Sequence, residues 1–169
     1  MITAFATAAA AATCAAPAPD ADLLARSVYE AIGDEIETGL DATRDKDMDA
    51  YLASIPDDYL QVEEDGTRVD KAALKAMQEQ AWAIIPRTNA LTMKITGFAL
   101  ACDGQSATVW TDQRWDRQML GRDGVTEFNV VTTQRHKEYW RAANGRWFNY
   151  QLEELGGTLT IDGELQTGA

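Results

Sequence analysis

The closing segment of the chain carries residue types that could transfer a proton. Residues 134–155 read QRHKEYWRAANGRWFNYQLEEL and include His136, the only histidine among 169 residues. If residues 144–145 form a two-residue hairpin turn, His136 lies opposite Glu153, with Cβ atoms about 4.5–5.5 Å apart, and Glu138 lies one pair further along. A neighbouring carboxylate raises the basicity of an imidazole and orients it, as a general acid or base requires. The spacing therefore predicts a proton-transfer site formed by His136, Glu153 and Glu138.

A purely structural role would explain the same residues. A His–Glu pair at the solvent-exposed end of a hairpin contributes about 0–1 kcal/mol and carries out no reaction. Both interpretations of His136 stay open at this point.

Metal and cofactor sites are not indicated by the sequence. One histidine and two cysteines cannot form a multi-histidine or multi-cysteine metal site. Asp45, Asp47 and Asp49 resemble the start of a calcium-binding loop, but Ala50 and Pro56 stand where that loop needs Gly and Glu. We therefore expect no metal and no cofactor.

Strand alternation divides the side chains of the predicted strands between two faces of a sheet. One face carries mainly aromatic and uncharged polar groups, which suits the concave, ligand-facing side because burial excludes unpaired charge. The expected ligand-binding residues on this concave face are Trp115, Phe128, Thr132, Gln134, Trp140, Trp147, Asn149 and Gln151, beside His136, Glu138 and Glu153. A register slip of one residue would reverse the two faces.

The opposite, outer face combines charge with aromatic side chains. Trp110, Tyr139, Phe148 and Tyr150 lie there among Arg, Lys and Asp residues. Four aromatic side chains on one face form a patch larger than the apolar patches that a monomer usually exposes, and the charged residues around it suit the polar rim of an interface. We therefore expect a homodimer formed through the sheet.

Helices precede strands along the chain, which predicts an α+β domain with helices on one face of an antiparallel sheet. Apolar residues over 23–40 recur at helical spacing, a short helix should end at Pro56, and Asp70 should cap a third helix that ends at Pro86. Residues 57–69 alternate like a strand with a turn. Four longer strands are expected over residues 90–102, 105–120, 125–141 and 146–155.

This order of elements resembles the nuclear-transport-factor-two-like (NTF2-like) superfamily, which includes SnoaL-like proteins. RDKDMDAYLASIPDDYLQVEEDGTRVDKAALKAM is similar to their opening helices, Asp-Asp strand and Asp-Gly turn, and EYWRAANGRWFNYQ to their closing hairpin. The resemblance implies a cystatin-like cone: N-terminal helices packed in the concave face of a strongly bent antiparallel sheet, a cone-shaped α+β barrel with a pocket at its open end. It implies no single activity, because the superfamily holds isomerases, dehydratases, cyclases and hydrolases besides binding modules.

The net charge limits the possible partners. The chain has 27 acidic and 15 basic residues and a net charge of −12, so nucleic-acid phosphates would be repelled. The expected partner is a small apolar molecule and not nucleic acid. The sequence thus favours a ligand-binding domain with an apolar pocket. The alternative is a pocket enzyme that uses His136 as general acid or base for isomerisation, dehydration or cyclisation.

The first residues differ in composition from the rest. MITAFATAAAAATCAAPAP is uncharged and resembles the apolar and cleavage regions of a secretory signal without its positively charged start. A disordered leader would explain it equally well. The run is too short to span a bilayer, which takes about 20 residues, so no integral membrane span is expected. We predict a leader or remnant signal segment over residues 1–19, the cone domain over 20–155 and a C-terminal tail over 156–169. If the leader is a signal, the protein is periplasmic or secreted; otherwise it is cytoplasmic.

Overall fold

The computed structural model describes residues 21–166. Three helices precede most of the sheet. In chain order the elements are α1 (Ala21–Asp45), α2 (Met48–Ala53), β1 (Leu60–Val62), β2 (Arg68–Asp70), α3 (Lys71–Ala83), β3 (Arg87–Leu100), β4 (Ser106–Leu120), β5 (Glu127–Ala143), β6 (Arg146–Ile161) and β7 (Glu164–Leu165).

Aspartates start the second and third helices. Asp47 accepts a hydrogen bond from Ala50 N at 2.9 Å, and Asp70 accepts one from Ala73 N at 2.8 Å. Each carboxylate satisfies a backbone N–H that has no partner inside the helix. Asp47, which resembled part of a calcium loop, is therefore the N-cap of α2.

The long helix α1 packs on the sheet through one apolar stripe. Its buried residues Val28, Ile32, Ile36 and Leu40 recur at helical spacing and form one cluster with residues of the strands. α1 contacts β3 and β6, which lie at separate positions in the sheet. The helix therefore lies across the concave face and helps to close one side of the cone.

The sheet is open, strongly curved and follows the strand order β2-β1-β6-β5-β4-β3, with β7 paired to β6. The predicted fold class is confirmed: an α+β domain with helices against a bent sheet. One pairing differs from the expected antiparallel arrangement, because β1 runs parallel to β6. The sheet is therefore mixed.

On β4 and β5, the side chains that lie on the concave face are those that the sequence predicted to lie there. In their register Thr111 lies opposite His136 and Trp115 opposite Thr132. Trp140 is only 5% exposed and belongs to the cluster with α1, and Trp147 packs against this cluster. Both tryptophans therefore face the helices.

β6 departs from the predicted register at Tyr150. The two neighbours of Tyr150 pair with consecutive residues of β5, so Tyr150 is an extra residue, a β-bulge. Beyond it, His136 lies opposite Glu154 and not opposite Glu153. The predicted His136–Glu153 pair is wrong because the bulge shifts the alternation of side chains by one residue.

The sheet also continues past the predicted domain boundary at residue 155. β6 extends to Ile161 and is followed by β7, where a loose tail was expected. Gly156, at φ 107°, lies in a second irregularity of β6, where Leu155 and Gly156 face the single residue Arg135, and the strand continues with Gly157 opposite Gln134. A Cβ on Gly157 would overlap the carbonyl oxygen of Thr133, so the close approach of β5 and β6 requires glycine there.

The predicted leader, residues 1–19, lies outside the described residues. Within residues 21–166 the structure contains no helix of the length and apolarity needed to cross a bilayer.

Candidate functional site

A cavity of about 410 Å³ opens between the helices and the concave face. Such a volume is typical of small-molecule sites. Most of its wall is apolar, with contributions from α1, α2, α3 and five strands. Representative apolar lining residues are Ile36, Leu40, Met77, Leu91, Met93 and Trp115. Its polar groups are concentrated on β1, β4, β5 and β6.

Glu138 is the most deeply buried charged residue of the cavity wall, at 2% exposure. Its carboxylate accepts three hydrogen bonds, from Thr111 Oγ1 at 2.7 Å, Trp140 Nε1 at 2.9 Å and Asn149 Nδ2 at 3.1 Å. Burial raises the pKa of Glu138, while these hydrogen bonds lower it. The carboxylate therefore joins three strands on the floor of the pocket.

His136 is adjacent to this group and is 4% exposed. Its Nδ1 lies 3.5 Å from Thr111 Oγ1, and that hydroxyl donates to Glu138. Burial lowers the pKa of His136 from 6.5 to about 4, although Glu63 and Asp112 act in the opposite direction. The expectation of an imidazole made more basic by a carboxylate is therefore wrong, because desolvation outweighs the nearby charges. The ring is neutral at pH 7.

The Nε2 atom of His136 is available to a ligand in the cavity. His136 lines the cavity, and its Nε2 makes no hydrogen bond with any residue of the described chain. Because the hydroxyl proton of Thr111 is directed to Glu138, Nδ1 must be the donor in its contact with Thr111, and Nε2 then carries the lone pair and can only accept a hydrogen bond. The buried ring thus presents an acceptor to the cavity.

Glu154 is the carboxyl group that lies opposite His136 across the β5–β6 pair. Gln134 Nε2 donates to its Oε1 at 3.0 Å. Burial and, next, a hydrogen bond with Glu63 raise the pKa of Glu154 to about 7. Near neutral pH this carboxyl group therefore holds a proton for part of the time, beside an imidazole that holds none on Nε2.

The sequence did not identify Glu154, Glu63 or the tyrosines beside them. Tyr59 donates its hydroxyl to Gln61 Oε1 at 3.1 Å, and Gln61 Nε2 donates to Glu63 Oε1 at 2.7 Å. Burial raises the pKa of Tyr51 to about 12 and that of Tyr59 well above 10, so both phenols are neutral. The predicted register placed the apolar residue Leu152 on the charged outer face. This mismatch was a sequence signal of the shifted register, in which Leu152 and Glu154 both line the cavity.

Six residues predicted for the site line this cavity. They are Trp115, Gln134, His136, Glu138, Trp140 and Asn149. Their parts in ligand binding or catalysis stay predictions.

The other predicted residues lie elsewhere. Thr132 accepts a hydrogen bond from Arg117, Phe128 lies opposite Met119 near the β4–β5 loop, and Trp147 belongs to the packing around α1.

Gln151 and Glu153 were placed on the wrong face. Tyr139 donates to Glu153 Oε1 at 3.0 Å and Gln151 Nε2 donates to the same oxygen at 3.2 Å, on the outer face of the sheet. The bulge at Tyr150 is the cause, since Glu138 lies opposite Leu152 and not opposite Gln151.

Among the side chains of residues 21–166, no set of three or more His, Cys, Asp or Glu residues is arranged to hold a metal ion.

No protein-family model and no curated protein matches the sequence. Solved structures do match. A protein described as a scytalone dehydratase from Novosphingobium aromaticivorans superposes with a TM-score of 0.65 at 9% identity, covering 81% of this chain and 90% of that one. A conserved protein from Planctomyces limnophilus gives a TM-score of 0.65 at 15% identity, covering 80% of this chain and 98% of that one.

A hexachlorocyclohexane dehydrochlorinase, LinA type 2, gives a TM-score of 0.62 at 14% identity, covering 88% of this chain and 95% of that one. Other similar structures are described as NTF2-like proteins or as having a cystatin-like fold. At these identities the comparisons show the fold alone. The chain has the NTF2-like, cystatin-like fold, as its order of elements predicted.

Proposed function

We propose that this protein binds a small, largely apolar molecule in the cavity between the helices and the concave face. The observation that carries the proposal is the buried His136, whose Nε2 has no partner within residues 21–166 although the ring lines a 410 Å³ cavity. This nitrogen is accessible from the cavity, and a bound ligand that donates a hydrogen bond to it gains an interaction in largely apolar surroundings. The apolar walls supply most of the contact area.

The charges of the cavity favour some ligands over others. Glu35, Glu63, Glu138 and Glu154 are among its lining residues, whereas lysine and arginine are absent from the lining that the described residues provide. A carboxylate or phosphate ligand would therefore meet like charge without a compensating cation. The pocket suits neutral or positively charged molecules.

Two measurements test the binding proposal. Native mass spectrometry of protein purified without added ligand should reveal a bound small molecule. Tryptophan fluorescence during titration with 2-tetralol, a neutral bicyclic alcohol, should change saturably. Replacing Trp115, which lines the cavity, by Ala should weaken binding about tenfold or more, since a buried aromatic contact is worth about 1.5–3 kcal/mol.

A matched control lies on the same strand. Trp110 is on the outer face, with its ring against Gly97, so Trp110→Ala should leave the affinity for 2-tetralol unchanged. Equal loss of binding in both variants, or no binding to the wild type, would argue against this cavity as the ligand site.

The second candidate function is proton transfer by His136. It is favoured by a neutral imidazole whose free nitrogen faces the cavity beside Glu154, a carboxyl group that can hold a proton at pH 7. A base next to an acid suits isomerisation, dehydration or cyclisation. Two proteins of similar fold are described as a dehydratase and a dehydrochlorinase.

His136→Gln separates the two functions once a ligand has been identified. Glutamine keeps hydrogen-bonding capacity but cannot take up a proton near neutral pH. Loss of turnover with unchanged affinity supports the enzyme. Unchanged turnover and unchanged affinity would remove His136 from the site.

The homodimer is a further part of the proposal. On the outer face Tyr139 and Tyr150 are in ring contact at 6.4 Å, and Lys137 and Arg141 lie over their rings at 4.9 and 5.1 Å. This aromatic and cationic surface would pair with a second copy. Sedimentation velocity at micromolar concentration should give a dimer, and Tyr139→Glu should give a monomer; a wild-type monomer would contradict this part.

Export to the periplasm or outside the cell is also proposed, from the composition of residues 1–19. Expression of the full-length gene followed by mass measurement of the mature protein tests it. Retention of residues 1–19 would favour the cytoplasmic alternative.

A further inference from the structure

Two carboxyl groups lie side by side at one end of the cavity. β1 pairs in parallel with β6, with Val62 opposite Glu153, so the next residues, Glu63 and Glu154, are neighbours across the two strands. The two side chains hydrogen-bond to each other. Two carboxylates in such contact resist being ionised together without a compensating cation, so the pair holds a proton at pH values below about 7.

Each carboxyl group is held in place by an amide. Gln61 Nε2 donates to Glu63 at 2.7 Å, and Gln134 Nε2 donates to Glu154 at 3.0 Å. The amides fix the positions of both groups without adding charge. The pair is therefore ordered and acidic. Within residues 21–166 neither carboxyl group forms a salt bridge with a lysine or arginine, and Arg135, which is adjacent in sequence to Gln134, donates instead to the carbonyl oxygen of Leu155.

An independent feature of the same cavity calls for a hydrogen-bond donor. His136 is 96% buried, lies opposite Glu154, and has no partner for Nε2 within the described chain. This nitrogen accepts a hydrogen bond, as the carboxylate oxygens of Glu63 and Glu154 do. A ligand that satisfies this end of the cavity must therefore present several donors.

We propose that the Glu63–Glu154 pair is a recognition site for a protonated amine, whose ammonium group displaces the shared proton while its apolar body fills the cavity. This inference rests on the proposed binding function and adds the class of ligand. An ammonium group brings three N–H donors and one positive charge, which match two carboxylates and a neighbouring imidazole acceptor. A metal ion is a poorer occupant, because no metal-binding set occurs among residues 21–166.

Among the titratable groups around the cavity, the Glu63–Glu154 pair is the one expected to change its protonation near pH 7. Burial and Glu63 together raise the pKa of Glu154 to about 7, that of His136 is lowered to about 4, and both tyrosines stay neutral. The other charged or titratable groups facing the pair or lining the cavity are Glu64 after β1, Glu138 on β5, and Glu35 on α1, which is bound by Arg146 on β6.

The experiment compares three probes with the same bicyclic body: 2-aminotetralin, the neutral 2-tetralol and the anionic tetralin-2-carboxylate. Isothermal calorimetry from pH 5.5 to 8.5 measures their affinities. At pH 8 the amine should bind at least about tenfold more tightly than the alcohol, and the carboxylate should bind most weakly. Below about pH 7 the affinity for the amine should fall by up to tenfold per pH unit, because its binding releases one proton.

Variants locate the effect. Glu154→Gln should abolish the amine preference and its pH dependence, and Glu63→Gln should do the same while lowering the pKa of Glu154 towards 4.5 in a carboxyl ¹³C NMR titration. Glu153→Gln is the matched control, because it makes the same charge change one residue away on the outer face. It should behave like the wild type.

The outcomes are distinct. Equal affinities for amine and alcohol, or an effect of Glu153→Gln as large as that of Glu154→Gln, overturn the amine site and leave the binding function standing. An affinity for the amine that stays constant from pH 5.5 to 8.5 overturns it too, since amine binding would then release no proton from the pair. Failure of all three probes to bind overturns both the amine site and the proposed binding function.

Discussion

The burial of His136 makes a quantitative prediction about stability in mild acid. The ring is 4% exposed, and its pKa is lowered from 6.5 to about 4 by that burial. In the unfolded chain the imidazole takes up a proton below pH 6.5, whereas in the folded protein it stays neutral until about pH 4. The unfolded state therefore binds more protons in this interval, and acid destabilises the folded protein through this residue.

The magnitude follows from the two pKa values. One pH unit corresponds to about 1.4 kcal/mol, so the full interval amounts to about 3 kcal/mol. Measurement down to pH 5.0 covers about 2 kcal/mol of it and stays above the isoelectric point near 4.4, where low net charge promotes precipitation. Since domains of this size are stable by about 5–15 kcal/mol, the effect is readily measured.

The assay is urea unfolding of the wild type and of His136→Gln at pH 7.5, 6.5, 5.8 and 5.0. Glutamine does not titrate, so the stability of the wild type relative to the variant should decrease by about 2 kcal/mol from pH 7.5 to 5.0. Effects of the many carboxylates common to both proteins cancel in the difference. Arg135→Gln, an adjacent change on the exposed side of β5, should show no such trend.

Two results would refute the reasoning. One is a stability difference that stays constant between pH 7.5 and 5.0. The other comes from proton NMR: because the chain has a single histidine, its imidazole resonance is unambiguous, and titration near pH 6.5 in the folded protein would mean that burial does not control this ring.

Four further substitutions, at three positions, test the packing of the domain by urea unfolding. Glu138→Ala should destabilise the protein by about 3–5 kcal/mol, because it removes a buried carboxylate that accepts three hydrogen bonds. Glu138→Gln should destabilise it clearly less. Equal losses of stability in the two variants would contradict this account. Gly157→Ala should cost about 2–4 kcal/mol because its Cβ would overlap the Thr133 carbonyl oxygen. Gly33→Ala, in open space on α1, should instead increase the stability by about 0.5–1 kcal/mol. A Gly157→Ala variant more stable than Gly33→Ala would refute the packing argument.

The fold could be predicted because its signals are local. Asp47 and Asp70 precede helical apolar spacing and do cap α2 and α3. Alternation identified the long strands, and the turn at residues 144–145 fixed the start of the closing hairpin, where Trp140 pairs with Asn149 as expected. The concave face then followed from the low charge of one side.

The site could be predicted only in part because it depends on pairings that are not local. The parallel contact of β1 with β6 joins residues about ninety positions apart, and nothing in residues 60–63 specifies it. The bulge at Tyr150 has no strong sequence signal either. Gly156 and Gly157 were interpreted as the start of a tail. Gly156 in fact marks a second irregularity in β6, and Gly157 marks a close approach of β5 and β6, both common uses of glycine inside a strand.

These two features together determine which acid enters the cavity. Without the extra residue at Tyr150, the predicted register would direct Glu153 inward and Glu154 outward, where Tyr139 now holds Glu153. Without the parallel pairing of β1, Glu63 would not reach Glu154, whose pKa would then be raised by burial without the added effect of Glu63. The acid pair is therefore a product of sheet geometry, and a substitution that straightens β6 should remove it even when both glutamates are retained.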